Sequence, residues 1–192
     1  MSLTLPAAAP ERPRVRFTVG QLLSMQQAGL LYGPYGERHI ELIGGELIEM
    51  PAPGPIHDTV SQRLQDLLAP LGNGRLRVEK GLSIPDYDMP IPDLVVLRAA
   101  VEWRMVEPAD CLCVIEVCDS TYEADRRDKL PRYLAAGIPL IWLVNCRARR
   151  IEAYDQDQWT IEAPHMFRAG STAQVAGISV PVGPLFAGMP EA

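Results

Sequence analysis

Two acidic residues stand out because each lies beside or within a run of apolar residues. Asp93 directly precedes the apolar residues 94–97, and Glu116 is the polar residue within the apolar run 112–118. An ionised carboxylate in such a strand must be paired, bind a metal ion or be protonated. Two acids near the ends of neighbouring strands can share one Mg²⁺, which takes one or two carboxylates and keeps its waters. The pattern predicts metal binding by Asp93 and Glu116, with the backbone carbonyl of Val117 as a further ligand.

A lysine near this acidic pair would complete a hydrolytic site. A metal ion held by the pair can position and acidify a water molecule for attack on a phosphodiester. Lys129 lies in the predicted helix after the Glu116 strand, so its ammonium group can lean back over the sheet. There it would stabilise the negative charge that develops during hydrolysis. The combination predicts phosphodiester hydrolysis that depends on Mg²⁺ or Mn²⁺.

Each of these residues also has a purely structural interpretation. Glu116 could pair with a buried arginine, Asp93 could belong to a turn, and Lys129 could be a solvated helix residue. Only their joint occurrence favours a site.

Residues 39–50 alternate apolar and polar residues around a Gly-Gly pair, which predicts a β-hairpin with a tight turn. Glu46 follows the turn, and Glu41 and Glu49 lie in the same hairpin. A polar hairpin face would explain any one of these glutamates.

The other elements follow from hydrophobic periodicity and from the positions of glycine and proline. The order strand, helix, strand around Glu116 and Lys129 predicts a parallel βαβ crossover. Pro131 lies within the helical segment, so the helix either starts late or is kinked there. These predicted elements are helices at residues 17–28, 57–71 and 125–136, strands at 75–84, 91–97, 112–118 and 138–145, and a second hairpin of strands 150–154 and 158–162.

The composition is that of one globular domain. The chain has 192 residues, of which 47 % are hydrophobic and 22 % charged. We expect an α/β fold with a central mixed sheet flanked by helices, with the N-terminal helix and the hairpin added. Residues 1–14, rich in Ala and Pro, are predicted to be a flexible tail, and residues 15–188 a single domain. No apolar run approaches the roughly 18 residues that cross a bilayer, and the start lacks a signal-peptide pattern.

Charge and cysteine content narrow the possible partners. The formal net charge of −6 argues mildly against tight duplex binding by a monomer. Basic residues cluster at 126–132 and at 147–150, and solvated surface explains both clusters. Three of the four cysteines lie in one apolar run, as expected for buried thiols in a reducing cytoplasm. The spacing of Cys111 and Cys113, with no second Cys or His pair, argues against a zinc site.

Several short motifs occur in order between residues 17 and 154. They are Glu41-Leu-Ile-Gly-Gly-Glu-Leu-Ile-Glu-Met-Pro51, His57, Pro92-Asp93, Val114-Ile-Glu-Val117, Asp119-Ser120-Thr121, Asp125-Arg126, Lys129-Leu130-Pro131, Tyr133, Ala136-Gly137-Ile138-Pro139 and Trp142-Leu143-Val144. In this order the motifs resemble the Uma-two family, described as restriction endonucleases of the PD-(D/E)xK nuclease superfamily.

The resemblance implies a restriction-endonuclease-like core with Asp93 and Glu116 as the metal-binding pair. The lysine usually found two residues after the Glu is absent, since Cys118 stands there. In this family the lysine comes from the following helix, which implies Lys129. Glu46 would be an additional acid near the metal.

The resemblance further implies that His57, Asp125 and Arg126 support the metal ligands or orient the substrate. Two positions depart from the family pattern. Leu140 stands where the family usually has an acid, and Asn145 where it usually has an Asp. Neither position belongs to the predicted metal-binding acids.

Two functions remain open at this stage. The first is a Mg²⁺- or Mn²⁺-dependent endonuclease that hydrolyses phosphodiester bonds in DNA. The second is a catalytically silent nuclease-fold module that acts through protein contacts or as a homodimer, which the acidic net charge and Leu140 favour. A two-carboxylate sugar hydrolase is a weaker hypothesis, because aromatic residues make up only 6 % of the chain and no sugar platform stands out.

Overall fold

The computed structural model describes residues 14–33, 36–37, 39–72, 74–155 and 162–190. The predicted tail lies outside these ranges except for Arg14, and so does the predicted strand 158–162 except for Glu162. The strands are β1 (Tyr32–Gly33), β2 (Gly36–Glu37), β3 (Ile40–Ile43), β4 (Glu46–Glu49), β5 (Leu76–Val78), β6 (Leu94–Leu97), β7 (Cys111–Cys118), β8 (Leu140–Asn145), β9 (Arg150–Asp155), β10 (His165–Phe167), β11 (Thr172–Val175) and β12 (Ile178–Pro181). The helices are α1 (Val19–Gln27), α2 (Pro55–Leu68), α3 (Tyr122–Ala124), a π-helical turn (Asp125–Lys129), α4 (Leu130–Ala135) and α5 (Val182–Leu185), with 3₁₀-helical turns at Ala69–Leu71 and Pro108–Asp110.

The centre of the fold is a six-stranded mixed sheet in the order β10-β9-β8-β7-β6-β5. The pair β7–β8 is parallel and the other neighbours are antiparallel, which confirms the predicted mixed sheet and the crossover. Apolar residues of α2 pack on one face of the sheet, and those of α4 pack on the other. Helices therefore flank the sheet on both faces, as predicted.

The N-terminal helix and the first hairpin form as the sequence predicts. The Thr18 side chain accepts a hydrogen bond from the Gln21 backbone and caps α1. Gly44 and Gly45 have φ values of 60° and 83°, the left-handed backbone that a tight hairpin turn requires. Backbone hydrogen bonds between Leu42 and Met89 in both directions then dock β3 against the main body of the chain.

One continuous helical segment connects β7 to β8. It begins at Tyr122, before the predicted start at residue 125, and widens into the π-helical turn directly before α4. Pro131 has no N–H group, so the α-helical bond to the carbonyl of Arg127 cannot form. The segment directly before α4 forms a π-helical turn. Such turns are frequent at functional sites.

Three features of the sheet and the C-terminal region differ from the sequence prediction or were missed by it. Strand β5 ends at Val78, well before residue 84, because Glu79 has a left-handed φ of 48°. The strand that follows β9 in the chain and pairs with it is β10, at residues 165–167. The hairpin β11–β12 and α5 pack on α2, where the Arg63 guanidinium donates to the carbonyl of Leu185 at 2.9 Å.

None of the helices in the described ranges is long and apolar enough to cross a membrane.

Candidate active site

Strand register brings the two predicted acids together. Leu94 of β6 pairs with Ile115 of β7 in an antiparallel ladder, so continuing the register by one residue places Asp93 opposite Glu116. Directly opposed residues project from the same face of a sheet. Both carboxylates line a cavity of about 560 Å³.

Asp93 is held from two sides. Its Oδ2 accepts a hydrogen bond of 2.6 Å from the backbone N–H of Val117, and its Oδ1 lies 2.9 Å from Nε2 of His57. The hydrogen bond with Asp93 raises the pKa of His57 above its ordinary value, although burial opposes the shift. Nδ1 of His57 is buried and lies 3.6 Å from Oδ1 of Asp58, beyond hydrogen-bonding distance.

The backbone carbonyl of Val117 faces a residue that cannot donate to it. The Val117 N–H points toward Asp93, so its carbonyl also faces the β6 side, because both groups of one strand residue project in the same direction. The continued register places Pro92 opposite Val117, and proline has no N–H group. This carbonyl oxygen is therefore free of its usual ladder hydrogen bond from the opposing residue.

Glu116 is buried, with 2 % of its surface exposed. Its Oε1 accepts a hydrogen bond of 2.6 Å from the Tyr133 hydroxyl and lies 3.4 Å from Nζ of Lys129. Burial raises the pKa of Glu116 well above its ordinary value, and the neighbouring carboxylates add to this rise, while Lys129 opposes it. The negative form of Glu116 is thus disfavoured unless positive charge arrives.

Lys129 lies at the centre of the acidic side chains. Its Nζ is 2.9 Å from Oε1 of Glu41, 3.4 Å from Oε1 of Glu116 and 3.4 Å from Oδ1 of Asp125. Burial alone would lower the pKa of Lys129, but the three carboxylates raise it well above its ordinary value. The π-helical turn carries both Asp125 and Lys129, so this irregular turn aims the ammonium group back over the sheet, as predicted from the position of the helix.

The structure corrects the predicted position of Glu46. This residue lies at the hairpin turn, where its carboxylate pairs at 2.6 Å with the exposed Arg14, and it is not among the described residues that line the cavity. Glu41 of the same hairpin is buried and lines the cavity instead. Oε1 of Glu41 also accepts a hydrogen bond of 2.8 Å from the backbone of Ile91. The only sequence signal for Glu41 was its place in the hairpin motif, beside two other glutamates.

Of the predicted supporting residues His57, Asp125 and Arg126, two line the cavity and one does not. His57 and Asp125 line the cavity, whereas Arg126 lies outside the described lining residues and hydrogen-bonds Tyr154. Arg132, of the same basic cluster, pairs with Asp88 at 2.6 Å. These arginines are engaged within the chain rather than directed into the cavity.

The charges around the cavity favour a cation. Its described lining includes seven acidic residues, one lysine and two histidines. In the described ranges, no three His, Cys, Asp or Glu side chains already converge as a metal-binding group. The oxygens of Asp93, Glu116 and the Val117 carbonyl are nevertheless hard donors at the same end of adjacent strands, which suits Mg²⁺ or Mn²⁺. The residues present therefore fit a divalent cation, which would offset the excess of carboxylates.

Known proteins share this architecture. A crystal structure of a protein from Anabaena variabilis, described as "a putative nuclease belonging to DUF820", matches with a TM-score of 0.63 and 17 % sequence identity. The match covers 89 % of this chain and 98 % of the other, and it establishes the fold. No curated protein matches the sequence. The family model Uma2, described as "Putative restriction endonuclease", matches residues 10–181. This chain belongs to the Uma2 family, as its motifs indicated.

Proposed function

We propose that this protein is a Mg²⁺- or Mn²⁺-dependent endonuclease that hydrolyses phosphodiester bonds in DNA. The observation that carries the proposal is that Asp93 and Glu116 line one cavity at one end of the sheet, with the Lys129 ammonium group 3.4 Å from Glu116. Family and fold agree with a nuclease.

Asp93, Glu116 and the Val117 carbonyl would hold the cation. When bound, it would lower the pKa of a water molecule and orient that water toward phosphorus. The Lys129 ammonium group would donate to a phosphate oxygen as negative charge develops there. Glu41 and Asp125 keep this ammonium protonated, since their carboxylates help to raise the Lys129 pKa.

The acidic lining has a consequence for substrate binding. Without a cation, a phosphodiester entering the cavity would meet mainly carboxylates, which repel it. The described arginines of the nearby cluster pair with Tyr154, Asp128 and Asp88. We propose that a homodimer supplies the basic surface for DNA. Light scattering with and without DNA measures the mass of the protein in solution and so tests whether the homodimer forms.

The decisive experiment is a cleavage assay on single-stranded, duplex and branched DNA with Mg²⁺ or Mn²⁺. It compares the wild type with Glu116→Gln and with the matched control Glu152→Gln, another buried glutamate on the same sheet face. We expect Glu116→Gln to lose at least about 100-fold in rate and Glu152→Gln to retain cleavage. Equal activity of Glu116→Gln and the wild type would refute the assigned site.

The ion pairs of Lys129 favour one alternative, a nuclease-fold module without turnover. Three carboxylates surround this ammonium group, so the cluster is partly neutralised without a cation. A wild-type protein that cleaves none of the substrates and binds neither Mg²⁺ nor Mn²⁺ by calorimetry would favour the module. Cation-dependent cleavage by the purified wild type, lost in Glu116→Gln, would exclude it.

A further inference from the structure

We propose that Tyr133 is a positioning residue that orients the Glu116 carboxylate for cation binding. This inference rests on the proposed function and assigns a task to a residue outside the predicted metal-binding and catalytic set. The Tyr133 side chain is fully buried, and its hydroxyl donates a hydrogen bond of 2.6 Å to Oε1 of Glu116.

The two oxygens of Glu116 have different surroundings. Oε1 receives the Tyr133 hydroxyl and faces Lys129. The contacts described for the Glu116 carboxylate, with Tyr133 and Lys129, are made through Oε1, and Glu116 lines the cavity. A carboxylate anchored through one oxygen presents the other in a fixed direction, which is how supporting hydrogen bonds orient metal ligands.

Tyr133 and Lys129 reach Glu116 from the same side of one helical segment. They are four residues apart, and such residues project from one helix face. Their chemistry differs, because the Lys129 ammonium also interacts with Glu41 and Asp125, whereas the Tyr133 hydroxyl has Glu116 as its acceptor.

A second buried tyrosine offers a matched control. The Tyr154 hydroxyl donates at 2.9 Å to Glu152, on the same face of the sheet. Glu152 also pairs with Arg150 at 2.6 Å, and it lies outside the described residues that line the cavity. Tyr154→Phe therefore removes the same chemical group from a similar environment that does not face the cavity.

The test is a calorimetric titration of the full chain with Mg²⁺, comparing the wild type, Tyr133→Phe and Tyr154→Phe. Phenylalanine keeps the ring that fills the core in each variant. We expect Tyr133→Phe to weaken Mg²⁺ binding by about 10-fold, as losses of supporting hydrogen bonds do in metal sites. We expect Tyr154→Phe to retain wild-type affinity.

A kinetic measurement separates positioning from a general loss of stability. In Tyr133→Phe, the Mg²⁺ concentration for half-maximal cleavage should rise, while the rate at saturating Mg²⁺ stays near that of the wild type. Unchanged Mg²⁺ affinity in Tyr133→Phe, or equal weakening in both variants, overturns the inference and leaves the proposed function standing. A wild type that binds neither Mg²⁺ nor Mn²⁺ overturns both.

Ultraviolet difference spectroscopy requires no variant at Tyr133. Because the Tyr133 hydroxyl is hydrogen-bonded to Glu116, the proposed Mg²⁺ ligand, Mg²⁺ binding should perturb tyrosine absorbance in the wild type. The perturbation should persist in Tyr154→Phe. Mg²⁺ binding without any change in tyrosine absorbance would contradict the inference even if Tyr133→Phe fails to fold.

Discussion

The sheet carries two buried glutamates in one row, and their surroundings differ. Glu116 on β7 pairs with Leu143 on β8, which in turn pairs with Glu152 on β9, so all three project from the same face. The exposed fractions of the two glutamates are 2 % and 1 %. Burial by itself therefore does not distinguish them.

Their partners distinguish them. Oε1 of Glu152 pairs with the Arg150 guanidinium at 2.6 Å, and its Oε2 accepts hydrogen bonds of 2.9 Å from the hydroxyls of both Tyr122 and Tyr154. Glu116 accepts the Tyr133 hydroxyl and shares the Lys129 ammonium with Glu41 and Asp125. Burial and the neighbouring carboxylates raise the pKa of Glu116 well above its ordinary value, against the opposing effect of Lys129. The comparison teaches that a buried charge with a complete set of donors serves the fold, whereas one that shares a single lysine with other buried carboxylates is suited to bind a cation.

The largest effect that would sharpen this comparison is stabilisation by cations. A ligand that binds only the folded state at 100 times its Kd adds about 2.7 kcal/mol to the free energy of unfolding. We expect Mg²⁺ to raise the Tm of the wild type and of Glu152→Gln, because both keep the acidic pair. Glu116→Gln should respond much less, and an equal rise in all three proteins would place the cation elsewhere. Differential scanning calorimetry measures these shifts.

The next effect is on stability without cations, and it should have opposite signs at the two glutamates. Glu152→Gln weakens hydrogen bonds to a charged group and should cost about 2 kcal/mol. Glu116→Gln removes a carboxyl whose ionised form is disfavoured in the fold, so near neutral pH it should be neutral or stabilising. Urea unfolding in EDTA measures both changes. A large loss of stability in Glu116→Gln but not in Glu152→Gln would show that Glu116, rather than Glu152, stabilises the fold.

A smaller effect concerns pH. Because the pKa of Glu116 is higher in the folded than in the unfolded chain, the folded state binds more protons between these two values. The stabilising contribution of its neutral form is thus present below the unfolded pKa of about 4.3 and is lost as pH rises toward the folded pKa. In EDTA, the free energy of unfolding should fall less steeply with pH above about 4.3 in Glu116→Gln than in the wild type. Parallel profiles would contradict this.

The smallest effect tests two of the three hairpin glutamates, Glu41 and Glu46. Glu46 is exposed and pairs with an exposed arginine, so Glu46→Gln should change stability little and leave cleavage intact. Glu41→Gln removes a buried partner of Lys129 and should impair both stability and cleavage. Comparable losses of cleavage in both variants would restore Glu46 to the site.

Much of this arrangement follows from local sequence patterns. Alternation around a Gly-Gly pair predicts the hairpin, and the apolar run around Glu116 predicts a buried strand, because these patterns depend on neighbouring residues. The positions of Asp93, Glu116 and Lys129 relative to their elements follow in the same way. The role of each in catalysis stays a prediction until cleavage is measured.

Tertiary contacts decided which of Glu41 and Glu46 lines the cavity. Glu41 and Glu46 both occupy polar positions in one motif, and the hairpin pattern treats them alike. The backbone bonds between Leu42 and Met89, and the bond from Ile91 to Glu41, bury one and leave the other at the turn. These contacts join residues about 50 positions apart, beyond the reach of any local pattern.

The partners of buried charges were likewise a matter of three-dimensional structure. By itself the sequence determined that Glu116 and Lys129 lie on successive elements, and that Asp93 opens a neighbouring strand. Only the folded chain placed the Tyr133 hydroxyl on Glu116 and Arg150 on Glu152. The physical reason is that secondary structure follows from short-range periodicity, whereas the ionisation of a buried carboxyl depends on which distant groups surround it.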